Sequence, residues 1–228
     1  MDALPGIEIY QIKVSLARIS PMIWRRFLVP SDLSLYGLNR VIQVLMGWED
    51  YHLHQFKIHG RVYAVQWSEQ RHYHRGEPIR EIRLTDLGLR VRQKLNYDYD
   101  FGDFWEHDVR IEARLPVDRT TRYPVCLDGA RSAPPEDSGG PRAYTDLLDR
   151  LLLWQIEHED WLLWNARKLL NMKSRDDAEA VTDFEFEFSD EEDDEQFRNF
   201  DPERFDRSEI NKSLDRLNAA LTRSTKHA

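Results

Sequence analysis

The chain has 228 residues, 41% of them hydrophobic and 11% aromatic, a single cysteine and a formal net charge of −9. That composition suits one substantial folded core, excludes an internal disulfide and fits a reducing compartment. Charge is uneven: 15 acids against two arginines between Asp176 and Asp206 give that stretch −13 and leave the remainder at +4, so a polyanionic partner for the body stays open. No apolar run approaches the roughly 18 residues of a membrane span, and the first ten residues lack the basic start and apolar core of a signal peptide. A cytoplasmic protein without a membrane partner is expected.

From Glu8 to Ile19 the residues alternate, with Tyr10, Ile12, Val14 and Leu16 on one face, and Ile23 to Val29 follows after Ser20-Pro21 as an antiparallel neighbour. Trp24, Arg25 and Arg26 form a candidate nucleic-acid contact, although a strand covered on both faces is the plainer reading. Ser34 caps a helix whose Leu35, Leu38, Ile42, Leu45 and Met46 share a face, and Gly47 ends it. Residues 50–56 then enter a third strand. His52 and His54, two apart, point the same way and with His107 are candidate metal ligands of the open, three-ligand kind; partly buried core histidines are the plainer alternative. Arg61 to Trp67 is the return strand, and Thr85 to Leu89 a short helical turn.

Leu95 to Leu115 carries the strongest signal. Leu95, Tyr97, Tyr99 and Phe101 alternate with Asn96, Asp98 and Asp100; beyond Gly102-Asp103, Trp105, His107, Val109 and Ile111 alternate with Glu106, Asp108, Arg110 and Glu112. This is a β-hairpin with two competing registers. A two-residue loop would put carboxylates on the aromatic face. A three-residue loop, Gly102 to Phe104, pairs Phe101 with Trp105 and Tyr99 with His107 and keeps one face apolar, so it is preferred. Its other face then crowds Asp98, Asp100, Glu106 and Asp108, like charges that destabilise a sheet unless a cation or water relieves them. In that register the carboxylates and the histidines lie on opposite faces and do not share a site.

Residues 116–140 have no periodicity and several Pro and Gly, and a structureless loop this long is often functional. Cys126, Asp128, Glu136 and Asp137 are its candidates, with an inert packed thiol the plainer reading of Cys126. Two core-facing amphipathic helices follow, one with Tyr144, Leu147, Leu148, Leu151 and Leu152, the other with Trp161, Leu162, Trp164, Leu169 and Leu170. Asp206 with Glu209 then opens a last helix. The expected organisation is a core over residues 1–175, an acidic low-complexity segment over 176–196 and a docking helix over 197–228. The fold class is α+β, a single domain with a mostly antiparallel sheet, an early ββαββ segment and C-terminal helices.

The segments YQIKVSLARISPMIWRRFLVP, MGWEDYHLHQF, YDYDFGDFWEHDV and YPVCLDGARSAPPEDSGG, followed by FDPERFD, resemble the plasmid pRi ORF-three-like family, small proteins encoded on plasmids and as passengers of insertion elements. The resemblance implies one α+β domain and supplies no catalytic residues. No dinucleotide fingerprint, phosphate-binding loop, HExxH or CxxC occurs, so no nucleotide cofactor is expected. Two functional readings stay open. One is a non-enzymatic accessory or interaction protein of a plasmid or mobile element that engages DNA or a DNA-bound partner. The alternative is a divalent-metal-dependent hydrolase or nuclease built on the acidic face of the 95–115 hairpin.

Overall fold

A computed structural model describes residues 6–64, 77–170 and 200–224. In chain order the elements are β1 (Ile9–Leu16), β2 (Trp24–Pro30), α1 (Leu35–Met46), β3 (His54–Ile58), β4 (Arg61–Ala64), β5 (Glu77–Pro78), a 3₁₀ turn (Leu84–Leu87), β6 (Lys94–Tyr99), β7 (Trp105–Leu115), β8 (Val125–Ala130), α2 (Gly140–Leu170) and α3 (Arg207–Ser224). They fall into two compact units, residues 1–141 with 202–228, and residues 142–201.

The first unit is built on one eight-stranded sheet in the order β5-β4-β3-β6-β7-β1-β2-β8, antiparallel throughout except for the short β4–β5 pair. This is the α+β, mostly antiparallel fold with a ββαββ start that the periodicity predicts. Alternation dictates which side is dry: Ile12 and Val14 of β1, Phe27 and Val29 of β2, Phe56 of β3, Tyr97 and Tyr99 of β6 and Trp105, His107 and Val109 of β7 are all buried on one face. Against that face lie Leu35, Leu38, Val41 and Ile42 of α1. Full burial of side chains this large stabilises by roughly 1.5–3 kcal/mol each. Ser34 Oγ accepts the Gly37 N–H at 3.1 Å at the start of α1, and Gly47, at φ 76°, ends it in the left-handed conformation. Helix α3 starts where Asp206 Oδ1 accepts the Glu209 N–H at 2.9 Å, and it packs on β8 and α1.

The sheet differs from the sequence reading in two ways. Val125–Ala130, placed in a structureless loop, is an edge strand paired antiparallel with β2 across a bulge between Arg26 and Phe27. The hairpin register is offset by two residues. Tyr99 pairs with Trp105, Asp98 with Glu106, Tyr97 with His107 and Asn96 with Asp108, so the connection is the five residues 100–104 rather than three. A two-residue offset leaves every side chain still in the ladder on its expected face, which is why the apolar face survives. It removes Asp100 from the ladder altogether, places Asn96 opposite Asp108, and leaves Asp98 opposite Glu106 as the carboxylate pair across β6–β7.

In the second unit, the two helices expected after Gly140 are one helix of 31 residues, because nothing from Arg142 to Leu170 is a glycine or proline that could interrupt it. Its expected core-facing stripes are only partly buried. Tyr144 and Leu147 are buried, whereas Leu152, Leu162 and Trp164 are about half exposed. The acidic segment 176–196 lies outside the described residues.

Candidate metal centre

At one end of the sheet three loops converge: residues 48–53 after α1, the hairpin connection 100–104, and residues 131–139 after β8. Trp48 joins the first to the third by donating its indole N–H to the Pro134 carbonyl at 2.8 Å, and it stacks on Tyr99 at 4.9 Å. Glu136 Oε1 accepts the Glu49 N–H at 2.9 Å and the Tyr99 hydroxyl at 3.0 Å. Burial and that carboxylate raise the Tyr99 hydroxyl well above its usual range. The second and third loops are tied where Asp103 Oδ2 accepts the Gly139 N–H at 2.8 Å.

Beneath the rim lies a satisfied buried network. Gln43 Nε2 donates to Tyr97 Oη at 2.9 Å, the Tyr97 hydroxyl donates to Asn39 Oδ1 at 2.6 Å, and Asn39 Nδ2 donates to Asp50 Oδ1 at 3.0 Å. Such a network fixes the loop above it, because each member left alone would cost about 1–3 kcal/mol.

Asp100 sits at φ 54°, donates its N–H to the Leu53 carbonyl at 2.9 Å and accepts the Gly102 N–H on Oδ1 at 2.8 Å. The left-handed turn carries its carboxylate off the acidic face toward the 48–53 loop. There His52 stands between two acids, Nδ1 3.7 Å from Asp100 Oδ1 and Nε2 3.1 Å from Asp137 Oδ1, with Glu136 Oε2 4.0 Å from Nε2. One ligand atom each from His52, Asp100 and Asp137 lies within 4.8 Å of the others. Two metal–ligand bonds of ~2.1 Å reach at most ~4.2 Å across, so an ion would draw the rim inward by about half an ångström. Asp100 is buried, His52 partly exposed and Asp137 75% exposed, so the group opens to solvent on the Asp137 side. Among the described residues no lysine or arginine pairs with Asp100, Glu136 or Asp137.

The remaining candidates lie elsewhere. Asp98 is held by Lys57 Nζ at 2.8 Å and Gln55 Nε2 at 2.7 Å, Asp108 by Lys94 Nζ at 3.0 Å, and Glu106 by Arg18 at 3.1 Å. Three of the four expected carboxylates therefore sit in ion pairs of their own, and the expected division of acids from histidines fails because the fourth, Asp100, changes sides. His54 does not join His52: it turns into the core, 3.7 Å from Asp50, where burial lowers it to about 4. His107 is wholly buried, with Nδ1 3.0 Å from Trp105 O and 3.2 Å from Tyr97 O, and burial lowers it to about 4 as well. The Trp24-Arg25-Arg26 patch is consumed internally. Arg25 is buried and donates to the carbonyls of Leu45, Trp24 and Ala130, each at 2.9 Å, while Arg26 is bidentate on Glu112 at 2.6 and 3.1 Å. Cys126 is buried and pushed up to about 11, an inert thiol, and Asp128 is exposed, 3.8 Å from Arg26. Sequence reasoning missed Asp50, Trp48 and Tyr99 as builders of the rim. Their signal is Asp50, which takes the left-handed conformation at φ 62° three residues after the helix-ending Gly47.

Fold and rim together define a class: an α+β protein whose mostly antiparallel sheet carries a histidine–carboxylate rim at the end where its hairpin turns. The chain belongs to the family described as plasmid pRiA4b ORF-3-like protein, whose model matches residues 8–209. It is 32% identical over 148 residues to the uncharacterized protein y4hQ of Sinorhizobium fredii, covering 63% of this chain and 73% of the relative. Its fold is similar to the crystal structure of the protein of unknown function MM3350 from Methanosarcina mazei Go1, with a TM-score of 0.63, 31% identity and coverage of 89% of this chain and 96% of that one. Three of the segments that carry the family resemblance, residues 46–56, 97–109 and 123–140, supply the three loops of the rim. Among the described residues no helix is long and apolar enough to cross a membrane.

Proposed function

We propose that this protein holds a divalent cation between His52, Asp100 and Asp137 and uses the ion's open side for metal-assisted hydrolysis, in a plasmid or mobile-element setting. The observation that carries this reading is the convergence of those three ligands from three separate segments, with no lysine or arginine of the described residues neutralising them. One imidazole with two carboxylates suits Mn²⁺, Fe²⁺ or Zn²⁺ better than the all-oxygen preference of Ca²⁺. A water on the exposed Asp137 side would be acidified by the ion, and Glu136 Oε2, the carboxylate oxygen near His52 that accepts no hydrogen bond among the described residues, is placed to take its proton.

A second reading, an accessory protein in which the ion clamps the three loops without chemistry, is favoured by the other oxygen of Glu136, which is already fixed by Tyr99 and the Glu49 N–H. Both are tested by titrating the full chain with Mn²⁺ and Zn²⁺ by calorimetry, alongside His52→Ala and Asp137→Asn, followed by assays on phosphodiester and carboxylic-ester substrates. Stoichiometric binding lost in both variants supports the site, and metal-dependent turnover lost in Glu136→Gln with binding kept supports hydrolysis. Binding without turnover selects the clamp; no binding in the parent overturns both.

A further inference from the structure

The solvent-facing side of the sheet carries an arrangement that the metal rim does not use. Lys94 pairs with Arg110 across β6–β7, Arg110 with Lys13 across β7–β1, and Lys13 with Arg26 across β1–β2. Four cations thus stand in one row over four adjacent strands, within about 14 Å at the usual strand spacing of ~4.8 Å. Like charges directly opposite destabilise a sheet. The ends of the row are neutralised, Arg26 by its bidentate bond to Glu112 and Lys94 by Asp108 at 3.0 Å. The centre is not. Among the described residues no carboxylate pairs with Arg110 or Lys13; Lys13 acts on Glu112 only from a distance and rests its ammonium over the Trp24 ring at 4.6 Å.

Beside these two central cations the surface is concave. A cavity of about 300 Å³ is lined by Lys13, Ser15, Met22, Lys94 and Arg110 together with the two carboxylates already engaged, Asp108 and Glu112. That volume is at the lower end of small-ligand pockets, which run from roughly 300 to 1,000 Å³. Two positive charges side by side, neither in an ion pair among the described residues, match a phosphate monoester, which carries about −1.5 to −2 at neutral pH. Arginine supplies a planar fork of donors, lysine a point charge, and the Ser15 hydroxyl a further donor.

We propose that this cavity binds a small molecule through a phosphoryl group held by Lys13 and Arg110. A nucleic-acid strand fits less well. The aromatic on this face, Trp24, is covered by Lys13 at 4.6 Å and by Arg26 at 5.0 Å, so its ring offers no free platform for a base.

The test uses the full chain in EDTA, so that no ion at the loop rim contributes. Thermal unfolding and calorimetry are followed in inorganic phosphate, in phenyl phosphate and in chloride at matched ionic strength. Wild type is expected to gain stability in both phosphates and not in chloride. Arg110→Gln and Lys13→Gln each weaken phosphate binding at least tenfold, yet unfold no lower than wild type in chloride, because each relieves like-charge repulsion; Arg110→Lys keeps part of the binding. No phosphate-specific gain in wild type, or a gain kept in either glutamine variant, overturns the proposal. So does a single-stranded oligonucleotide that displaces phenyl phosphate at physiological salt with higher affinity than the ester.

Discussion

Protonation of His107 should destabilise the core, and the size of the effect follows from its surroundings. The ring is wholly buried, edge-on to Trp48 at 5.4 Å and against Tyr97 at 5.1 Å. Its Nδ1 faces two carbonyls, which can only accept, so Nδ1 carries the proton and Nε2 is bare in an apolar setting. Burial lowers the group from 6.5 to about 4, against the upward pull of those carbonyls and of Asp98. The unfolded chain takes the proton first, at about pH 6.5, so the stabilisation is complete above that value, declines as pH falls and is exhausted near pH 4. At about 1.4 kcal/mol per unit, the full loss is on the order of 3 kcal/mol, of which about 2 kcal/mol falls between pH 7.5 and 5.0. His107→Asn should be less stable at pH 7.5, having lost ring packing, but its stability should fall by about 2 kcal/mol less over that window. Urea unfolding followed by tryptophan fluorescence at the two pH values measures both slopes. Parallel pH dependences for variant and wild type would refute the reasoning.

Other expectations concern the scaffold. Gly140 has φ 81°, and a Cβ there would stand 2.4 Å from the Asp103 carbonyl oxygen, so Gly140→Ala should cost about 2 kcal/mol or more in urea unfolding by parting the hairpin loop from the 131–139 loop. Arg25→Met should lose about 2–4 kcal/mol, since the carbonyls of Leu45 and Ala130 lose buried donors; a loss under 1 kcal/mol would mean that water replaces the guanidinium. Cys126, with its thiol raised to about 11 by burial, should react with iodoacetamide at pH 8 on the order of a hundredfold more slowly than an exposed cysteine, read by mass spectrometry.

Period-2 and period-3.6 patterns made most of the first unit legible, because alternation such as Tyr10-Ile12-Val14-Leu16 has one economical solution once a face must be dry. The strand β8 was not, since Val125-Cys126-Leu127 is short, lies among Pro and Gly, and gains its order from β2 and α3 rather than from its own pattern. The hairpin faces were legible and its register was not. Faces depend on parity alone, whereas register depends on how residues 100–104 turn.

The same turn explains why the rim could not be read from the sequence. Alternation assigns Asp100 to the face of Asp98, and that assignment holds only while the chain stays extended. Asp100 instead takes φ 54°, a conformation in which Asp is among the more tolerant residues, and it is held there by the Gly102 N–H on its own carboxylate and by its N–H to Leu53. Once the backbone is left-handed the carboxylate leaves the sheet's solvent face and meets His52, which stands outside β3 and so also escapes the parity that put it beside His54. Two residues that strand periodicity places on opposite sides of a hairpin become neighbours because each lies just beyond the end of a strand. Asp137, from a segment with no periodicity at all, completes the group through the ties of Glu136 to Glu49 and Tyr99 and of Gly139 to Asp103. Loosening one of those ties should therefore spread the ligands without touching them: Asp103→Ala removes the acceptor for the Gly139 N–H, and it should weaken Mn²⁺ binding measured by calorimetry about tenfold, as loss of an orienting partner does. Metal affinity equal to wild type in that variant would mean that the 131–139 loop is positioned by something other than the hairpin.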